Sequence, residues 1–402
     1  MRLSSQAIHM NAVKVMLQQQ QALAKIQTQV ATGKRVNTPA DDPIAAVHIL
    51  ELERAQLESA QYAKNSALAR SRLNLEEQAL ADIGTVLQRV RELVVQASNT
   101  GTMNDADRRS IAVELESRLE ELQDIGNRRD GGGEYLFSGF STLTRPFAGA
   151  ASGTVSYAGD QGSRQLQVGP TQRVSDGHSG FDVFMNIPGG NGTFVTAVAP
   201  GNSGSGRIDV GTITDISAWV PDDYTLTFDA TGQWEITDGA TPPNVVAAGL
   251  YTSGAPIEFN GIQITITGEP ADGDTFFIER SRPEDVFTTV SRVARALSQP
   301  ASDPAAMAQL ASTLERSLQQ LDQAEDHMLG VRAQVGARLH ALDSADAARE
   351  NLDIDIANSL SELRDVDYAQ AVAQLNQRLV GLQAAQLSYS QISQLSLFNY
   401  LR

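Results

Sequence analysis

The chain of 402 residues contains no cysteine. This absence excludes disulfide bonds, thiol nucleophiles and cysteine-ligated metals, although it leaves the cellular compartment open. No stretch approaches the run of about eighteen apolar residues that a membrane-spanning helix needs, so we expect no membrane insertion. Residues 1–6 also lack the apolar run of a cleavable secretory signal, and we expect none.

Positive charge is scarce as well. The chain carries 31 Lys and Arg against 48 Asp and Glu, which gives a net charge of −17, and residues 151–280 have only 4 basic side chains against 15 acidic ones. Nucleic-acid binding needs a basic surface that this composition does not supply, so nucleic acid is excluded as a partner. The acidic middle of the chain is interpreted as exposed, soluble surface.

Catalytic and metal-binding signatures are also missing. The segment Asp272-Gly273-Asp274 favours a turn over a calcium loop, and glycines 131–133 favour helix termination over a phosphate site. We therefore predict a protein that is not an enzyme and has no cofactor and no metal. A Ser/His/Asp or paired-carboxylate site whose members meet only in the fold stays open. The histidines are scattered without ligand spacing: His9, His48, His178, His327 and His340.

Helical periodicity marks both ends of the chain, residues 1–130 and 283–402. Apolar seams of this width cannot be buried by one helix, and the other end of the chain is the nearest source of a partner helix. The sequence therefore predicts a long coiled-coil rod built from both ends. The first seam, interrupted by Glu76, is Leu73, Leu80, Ile83, Leu87, Val90, Val94 and Ala97, and the second contains Leu321, Met328, Val335 and Leu342.

Capping residues place the helix boundaries. A first helix over residues 5–31 ends before Gly33, and a very long second helix runs from Pro43, capped by Asp42, to about Ser98. Asn104 or Asp105 caps a third helix. The helical pattern resumes at residues 283–285, restarts at 303–304, and is predicted to continue to the C-terminus.

In the middle of the chain, apolar residues recur at every second position, which is the pattern of β-strands. Residues 224–228 and 234–237 read as one hairpin, and residues 257–259 and 262–267 read as a second around Asn260-Gly261, the strongest short hairpin signal. Residues 186–206, rich in Gly, Pro and Asn, are predicted to form a loop or a join between two small β subdomains. The predicted fold class is α+β and multidomain, a helical rod with an inserted all-β region.

We expect five segments in this organisation. They are an N-terminal assembly segment (1–42), the N-terminal half of the rod (43–140), the β region (141–282), the C-terminal half of the rod (283–349) and a C-terminal assembly segment (350–402).

Four segments resemble the bacterial flagellins and the hook-associated junction proteins of the flagellum. They are Thr32–Pro43, Gln88–Asn99, Gly133–Gly139, and the C-terminal stretches 365–369 and 391–401. The sequence Gly-Glu-Tyr-Leu-Phe-Ser-Gly at 133–139 is closer to the junction proteins than to filament flagellin. The resemblance covers nearly the whole chain, but the β insertion is larger than the minimal pattern.

This resemblance implies a structural adaptor between the hook-associated ring and the flagellin filament. It also implies terminal segments that are disordered in the free subunit and become helical on assembly. The implied partners are other copies in a ring, the preceding hook-associated protein, flagellin and a flagellar export chaperone. The implied location is the extracellular flagellum, reached by type III export without a cleaved signal.

The terminal seams supply the candidate site residues. The alternative for each is an ordinary core contact within one subunit. Flagellin itself is the nearest rival function, and a surface adhesin or carbohydrate-active protein carried by the β region is a further one. The predicted assembly residues are Met16, Leu23, Ile26, Val30, Val372, Leu375, Leu379, Leu382, Ile392, Leu395, Leu397 and Phe398.

Overall fold

The computed structural model of the protein describes residues 5–99, 103–149 and 154–398, and within these ranges the side chains of residues 10–391. Helices form both ends of the described chain and strands form its middle, so the predicted α+β class with an inserted all-β region is confirmed. The helices are α1 (Ser5–Thr32), α2 (Pro43–Ala97), α3 (Asp105–Gly126), α4 (Val286–Ser298), α5 (Pro304–Arg364) and α6 (Tyr368–Phe398).

The predicted capping residues start the helices. The carboxylate of Asp42 accepts the N–H of Ala45 at 3.0 Å, and Pro43 is the first helical residue of α2. Asn104 caps α3 by accepting the N–H groups of the next turn, while Asp107 accepts the N–H of Asn104 in return. These caps satisfy backbone donors that the helix itself leaves unpaired.

The chain divides into two compact units, which we call the terminal unit (up to Lys64 and from Ser344) and the central unit (Asn65–Asp343). In the terminal unit α1 packs against α6, and the start of α2 meets the end of α5. This second contact buries a small cluster made of Val36, Ala45, Ile49, Ile356 and Leu360.

Within the central unit α2 and α5 run antiparallel. The order of three ion pairs along the two helices establishes this direction: Arg70–Asp343 at 2.6 Å, Glu77–Arg332 at 2.6 Å and Arg91–Asp322 at 3.0 Å. The two predicted seams are buried on these helices, with Leu73, Ile83, Leu321 and Val335 all fully covered. The sequence pattern therefore identified the helical core of this unit correctly.

Two larger sheets form the β region and share one hydrophobic core. One sheet has the strand order β10-β9-β8-β13-β5, and the other has the order β11-β12-β6 with β7 beside β12. The two predicted hairpins are confirmed as β8–β9 and β11–β12. The strands of these sheets are β5 (Phe194–Val198), β6 (Arg207–Ile208), β7 (Thr212–Ile213), β8 (Tyr224–Phe228), β9 (Gln233–Thr237), β10 (Val245–Leu250), β11 (Pro256–Phe259), β12 (Ile262–Thr267) and β13 (Thr275–Arg280).

Two short ribbons precede these sheets and pack with the helices instead. They are β1 (Phe147–Ala148) with β2 (Ser156–Tyr157), and β3 (Gln165–Gln167) with β4 (Arg173–Ser175), followed by a π-helical turn at Phe181–Met185. The aromatic rings of Phe147 and Phe184 lie 5.1 and 5.5 Å from the ring of Phe287 on α4. This part of the β region therefore belongs to the helical core.

Two sequence predictions were wrong. The prediction of a loop or a join between two small β subdomains at residues 186–206 missed β5, which lies there and pairs with β13 over five residue pairs. The C-terminal helical pattern is not continuous, because the helix ends at Arg364 and restarts at Tyr368. Asp367 caps the new helix by accepting the N–H of Gln370 at 3.1 Å, and an N-capping Asp marks a helix start.

Candidate assembly interface

The predicted assembly residues of α1 lie on the face that packs against α6. Met16, Leu23 and Val30 are half-buried, and Ile26 is buried at 7% exposure. Their spacing of seven, with Ile26 between, keeps them on one face of the helix. Across the pair, the guanidinium of Arg378 donates to Gln19 Oε1 at 3.3 Å. We call this contact the α1–α6 seam.

On α6, Leu375, Leu379 and Leu382 are half-buried and belong to the seam. Val372 is 44% exposed and does not, whereas the neighbouring Ala371 is buried. The side chains of the remaining predicted residues, Ile392, Leu395, Leu397 and Phe398, lie outside the described part of the chain.

A second apolar stripe on α1 faces away from the seam. It consists of Met10, Val13 and Leu17, all of them exposed. At 3.6 residues per turn these side chains lie on average about 130° around the helix from the seam. We call this set the outer stripe of α1. Helix α1 is therefore apolar on two faces, of which α6 covers one.

Helix α6 repeats the arrangement. Val380 and Leu387, seven residues apart, are each 65% exposed and lie about 120° around α6 from the seam. They form the outer stripe of α6. More than half of the exposed large apolar side chains in the described chain lie in the terminal unit, although this unit holds less than a third of the residues. Apolar exposure of this density marks a surface that binds protein.

The loops that join these helices to α2 and α5 are tied together. Val366 donates its N–H to Gly33 O at 2.9 Å, and Arg35 donates its N–H to Arg364 O at 2.6 Å. Gly33 adopts a φ of +72°, and a Cβ at this position would lie 2.9 Å from the hydroxyl of Tyr368. The position thus requires glycine for its backbone conformation and for the close approach.

Electrostatics fix the first of these loops. Lys25 Nζ lies 2.9 Å from Asp41 Oδ1, and the other carboxylate oxygen accepts the N–H groups of Asn37 and Thr38. The ion pair with Lys25, together with the bonds from Thr38, holds the pKa of Asp41 well below its usual range. Asp41 is therefore ionised whenever the loop is formed at neutral pH.

Sequence comparison matches both ends of the chain to flagellar families. Residues 3–142 match the bacterial flagellin N-terminal helical region, and residues 318–401 match the flagellin C-terminal helical region. Residues 199–280 match the D2-like domain of flagellar hook-associated protein 1. The seam and both outer stripes thus lie within the regions that match flagellin.

Individual relatives are more specific. Flagellar hook-associated protein 3 of Salmonella typhimurium is 36% identical over 187 residues, which are 46% of this chain and 58% of that protein. The crystal structure of flagellar hook-associated protein-3 from Legionella pneumophila is 32% identical with a TM-score of 0.74, over 78% of this chain and 98% of that one. The chain belongs to the flagellar hook-associated protein 3 family. The structure of the flagellar junction protein from Legionella pneumophila is also 32% identical, with a TM-score of 0.70 over 79% of this chain and 100% of that one.

For a hook-associated protein 3 relative, the outer stripes are candidate interface residues that periodicity reasoning left out. Residues 10, 13 and 17, and residues 380 and 387, show helical spacing in the sequence itself. The sequence analysis predicted one apolar seam on each terminal helix and no second stripe. A count of apolar residues around the whole helix would have revealed two stripes.

Outside the helical ends, the described residues of this family member lack the signatures of a metal site and of a membrane span. No group of three or more His, Asp or Glu side chains is arranged to hold a metal ion in the described residues. No described helix is long and apolar enough to cross a membrane. Asp274, in the segment considered as a calcium loop, instead accepts the N–H groups of Ser203, Gly204 and Ala271 and fixes a turn.

Proposed function

We propose that this chain is a structural adaptor of the bacterial flagellum, which joins the hook-associated ring to the flagellin filament. One observation carries the proposal: after α1 and α6 have paired, both helices still expose an apolar outer stripe. Exposed apolar surface is costly in water and is retained where another protein covers it. In an adaptor, neighbouring subunits provide that cover.

We assign two roles to the predicted assembly residues. Those of the α1–α6 seam hold the helix pair together, and Val372 with the outer stripes meets neighbouring copies in a ring. The seam buries little surface. Of the predicted seam residues whose side chains are described, Ile26 is buried, and the three leucines of α6 are only half-buried. So narrow a contact offsets little of the entropy lost when about sixty residues become ordered, which supports ordering on assembly.

The proposed partners follow from the family. We assign the preceding hook-associated protein to one side of the ring and flagellin to the other, and an export chaperone to the C-terminal segment before assembly. The proposed location is the extracellular flagellum, reached without a cleaved signal. The proposed role is mechanical and involves no catalysis.

Flagellin is the second candidate function, because both ends of the chain match flagellin families. The match of residues 199–280 to a hook-associated domain favours the adaptor. The two functions differ in copy number and position, since flagellin builds the whole filament and an adaptor occupies one zone at its base.

A single label separates the two functions. Because the chain has no cysteine, the variant Ala230→Cys, in the exposed turn between β8 and β9, gives one attachment point for a maleimide dye. We expect one fluorescent spot at the base of each filament in a strain that carries this variant as its only copy. Labelled flagellin is the matched control and should mark the full length. Continuous labelling by Ala230→Cys would refute the adaptor role.

A further inference from the structure

A cavity of about 210 Å³ lies within the central unit, between strands β5 and β6 and helices α4 and α5. Thr196 and Ile208 line it from the sheets, and Arg292, Ser312 and Arg316 line it from the helices. The assembly surfaces described above lie in the other unit of the chain. The cavity therefore needs an explanation of its own.

Positive charge exceeds negative charge at the helical wall. Arg292 Nη2 lies 2.8 Å from Glu284 Oε2, and Arg316 Nη2 lies 3.6 Å from the same oxygen. Two guanidinium groups thus share one carboxylate, and the contact made by Arg316 is long. Both arginines are about three-quarters buried, with side-chain exposures of 24% and 26%. Charges placed this deep are stabilised by a paired anion.

The titration behaviour of these groups agrees with an excess of positive charge. Burial, followed by the neighbouring charge of Arg292, lowers the pKa of Arg316, while Glu284 and Glu279 oppose the change. Burial alone would raise the pKa of Glu284. The hydrogen bond and positive charge of Arg292, the hydrogen bond from Thr289 and the charge of Arg316 outweigh burial and leave the pKa below its usual value. Glu284 is therefore an anion already shared between two cations.

Two buried donors at the cavity lack partners. Neither Arg292 Nη1 nor Ser312 Oγ has a hydrogen-bond partner among the described residues, and Ser312 is nine-tenths buried. Buried donors without partners are rare in folded proteins, because each loses its hydration without compensation. The acidic residue of the lining, Glu315, is already paired, since its Oε2 lies 3.5 Å from Arg207 Nη2.

We propose that this cavity binds a small oxyanion, held by the guanidinium groups of Arg316 and Arg292 with Ser312 as a further donor. A guanidinium offers two parallel N–H groups that match the spacing of oxygens in a phosphate, sulfate or carboxylate. The cavity is large enough for a tetrahedral anion or for a carboxylate on a short side chain. The oxyanion is either free in solution or the Asp or Glu carboxylate of another polypeptide chain.

The test is calorimetric titration of the full chain with inorganic phosphate and with acetate, against chloride at the same ionic strength. We expect saturable binding at one site. Arg316→Gln should weaken it at least about tenfold, the usual consequence of losing a charge-assisted hydrogen bond. Arg295→Gln, an exposed charge on the same helix α4 and outside the cavity, is the matched control and should leave binding within about twofold of the unmodified chain.

Two measurements protect the test against a variant that folds poorly. Ser312→Ala, a smaller change, should weaken binding severalfold. A crystal of the unmodified chain soaked in selenate should give an anomalous peak within hydrogen-bonding distance of Arg316. Absence of saturable binding up to about 50 mM together with absence of the peak would overturn the proposal, and so would equal loss in Arg295→Gln.

A final arm separates the two sources of the oxyanion. Phosphate is added to purified subunits during assembly with their partners. If phosphate inhibits assembly of the unmodified chain but not of Arg316→Gln, the cavity binds a carboxylate of a neighbouring chain. Binding without any effect on assembly assigns it to a free anion.

Discussion

At the residue scale, Glu76 shows how a break in a sequence pattern becomes a structural contact. It interrupts the apolar seam of α2 and is 2% exposed. One of its carboxylate oxygens accepts the backbone N–H of His178 at 3.1 Å and lies 2.7 Å from His178 Nδ1. The ring of His178 also reaches Gln334 on α5 at 3.2 Å. Glu76 thus holds the segment after β4 on α2, and His178 connects that segment to α5.

We expect Glu76→Leu to destabilise the central unit by about 2–4 kcal/mol, although leucine fits the pattern of the seam. The substitution removes a buried acceptor and leaves the donors of His178 unpaired. Glu77→Gln is the control, because Glu77 makes a half-exposed ion pair with Arg332. This variant should lower the free energy of unfolding by less than about 1 kcal/mol. Urea unfolding followed by circular dichroism measures both. Equal stability of Glu76→Leu and the unmodified chain would show that the contact is dispensable.

Glu284 makes the stability of the central unit depend on pH. Because the pKa of Glu284 is lower in the folded chain than its usual value of 4.5, the ionised carboxylate adds stability at neutral pH. This contribution is lost as the pH falls below 4.5 toward the folded-state pKa. We expect Glu284→Gln to lower the melting temperature at pH 7, with a difference that shrinks in acid. Glu279→Gln, at an exposed neighbouring residue, should change the melting temperature little at any pH. A constant difference from pH 7 to pH 3 would contradict this origin.

At the element scale, the outer stripe of α1 is the proposed contact with neighbouring copies. Leu17 is one of its three members and is exposed in the single chain. If a neighbouring copy covers the stripe, Leu17→Asp places a charge in an apolar contact and also loses the burial of a leucine, worth about 2 kcal/mol per subunit. Repeated around a ring, this loss should abolish filament attachment.

The measurement is swimming and filament retention in a strain that lacks the natural copy. Asn11→Asp adds the same charge to the same helix away from both stripes and should behave as the unmodified chain. The thermal unfolding of the central unit should be unchanged in both variants. Normal attachment with Leu17→Asp would remove the outer stripe from the interface.

Elements set by local chemistry could be predicted from the sequence, and those set by distant partners could not. The turn at Asn260-Gly261 was predicted because both residues tolerate a positive φ, and both adopt one, at 44° and 75°. Strand β5 was missed because its glycine-rich neighbours read as a loop, while its stability comes from pairing with β13 about eighty residues later. The partner of Glu76, 102 residues away, was equally invisible.

At the scale of the whole molecule, the larger sheets join the helical part of the central unit at one narrow place. Ser281 donates its hydroxyl to Gly189 O at 2.8 Å and its N–H to Thr193 O at 2.9 Å. Ile187 and Glu284 then pair as a β-bridge just inside this crossing. Residues 190–281 therefore form an insertion whose ends already meet, whereas Phe147 and Phe184 belong to the aromatic core with α4.

This geometry fixes where the β region can be removed. A chain in which a short Gly/Ser linker replaces residues 190–281 should fold and still support filament attachment, because the helices and the outer stripes are unchanged. A matched deletion of residues 141–280 should unfold the helical core, since it removes Phe147 and Phe184 from their contacts with Phe287 and aromatic truncations of this kind cost about 3–5 kcal/mol each. Circular dichroism and swimming assays distinguish the two. Normal folding of the first chain without attachment would assign part of the adaptor function to the larger sheets themselves.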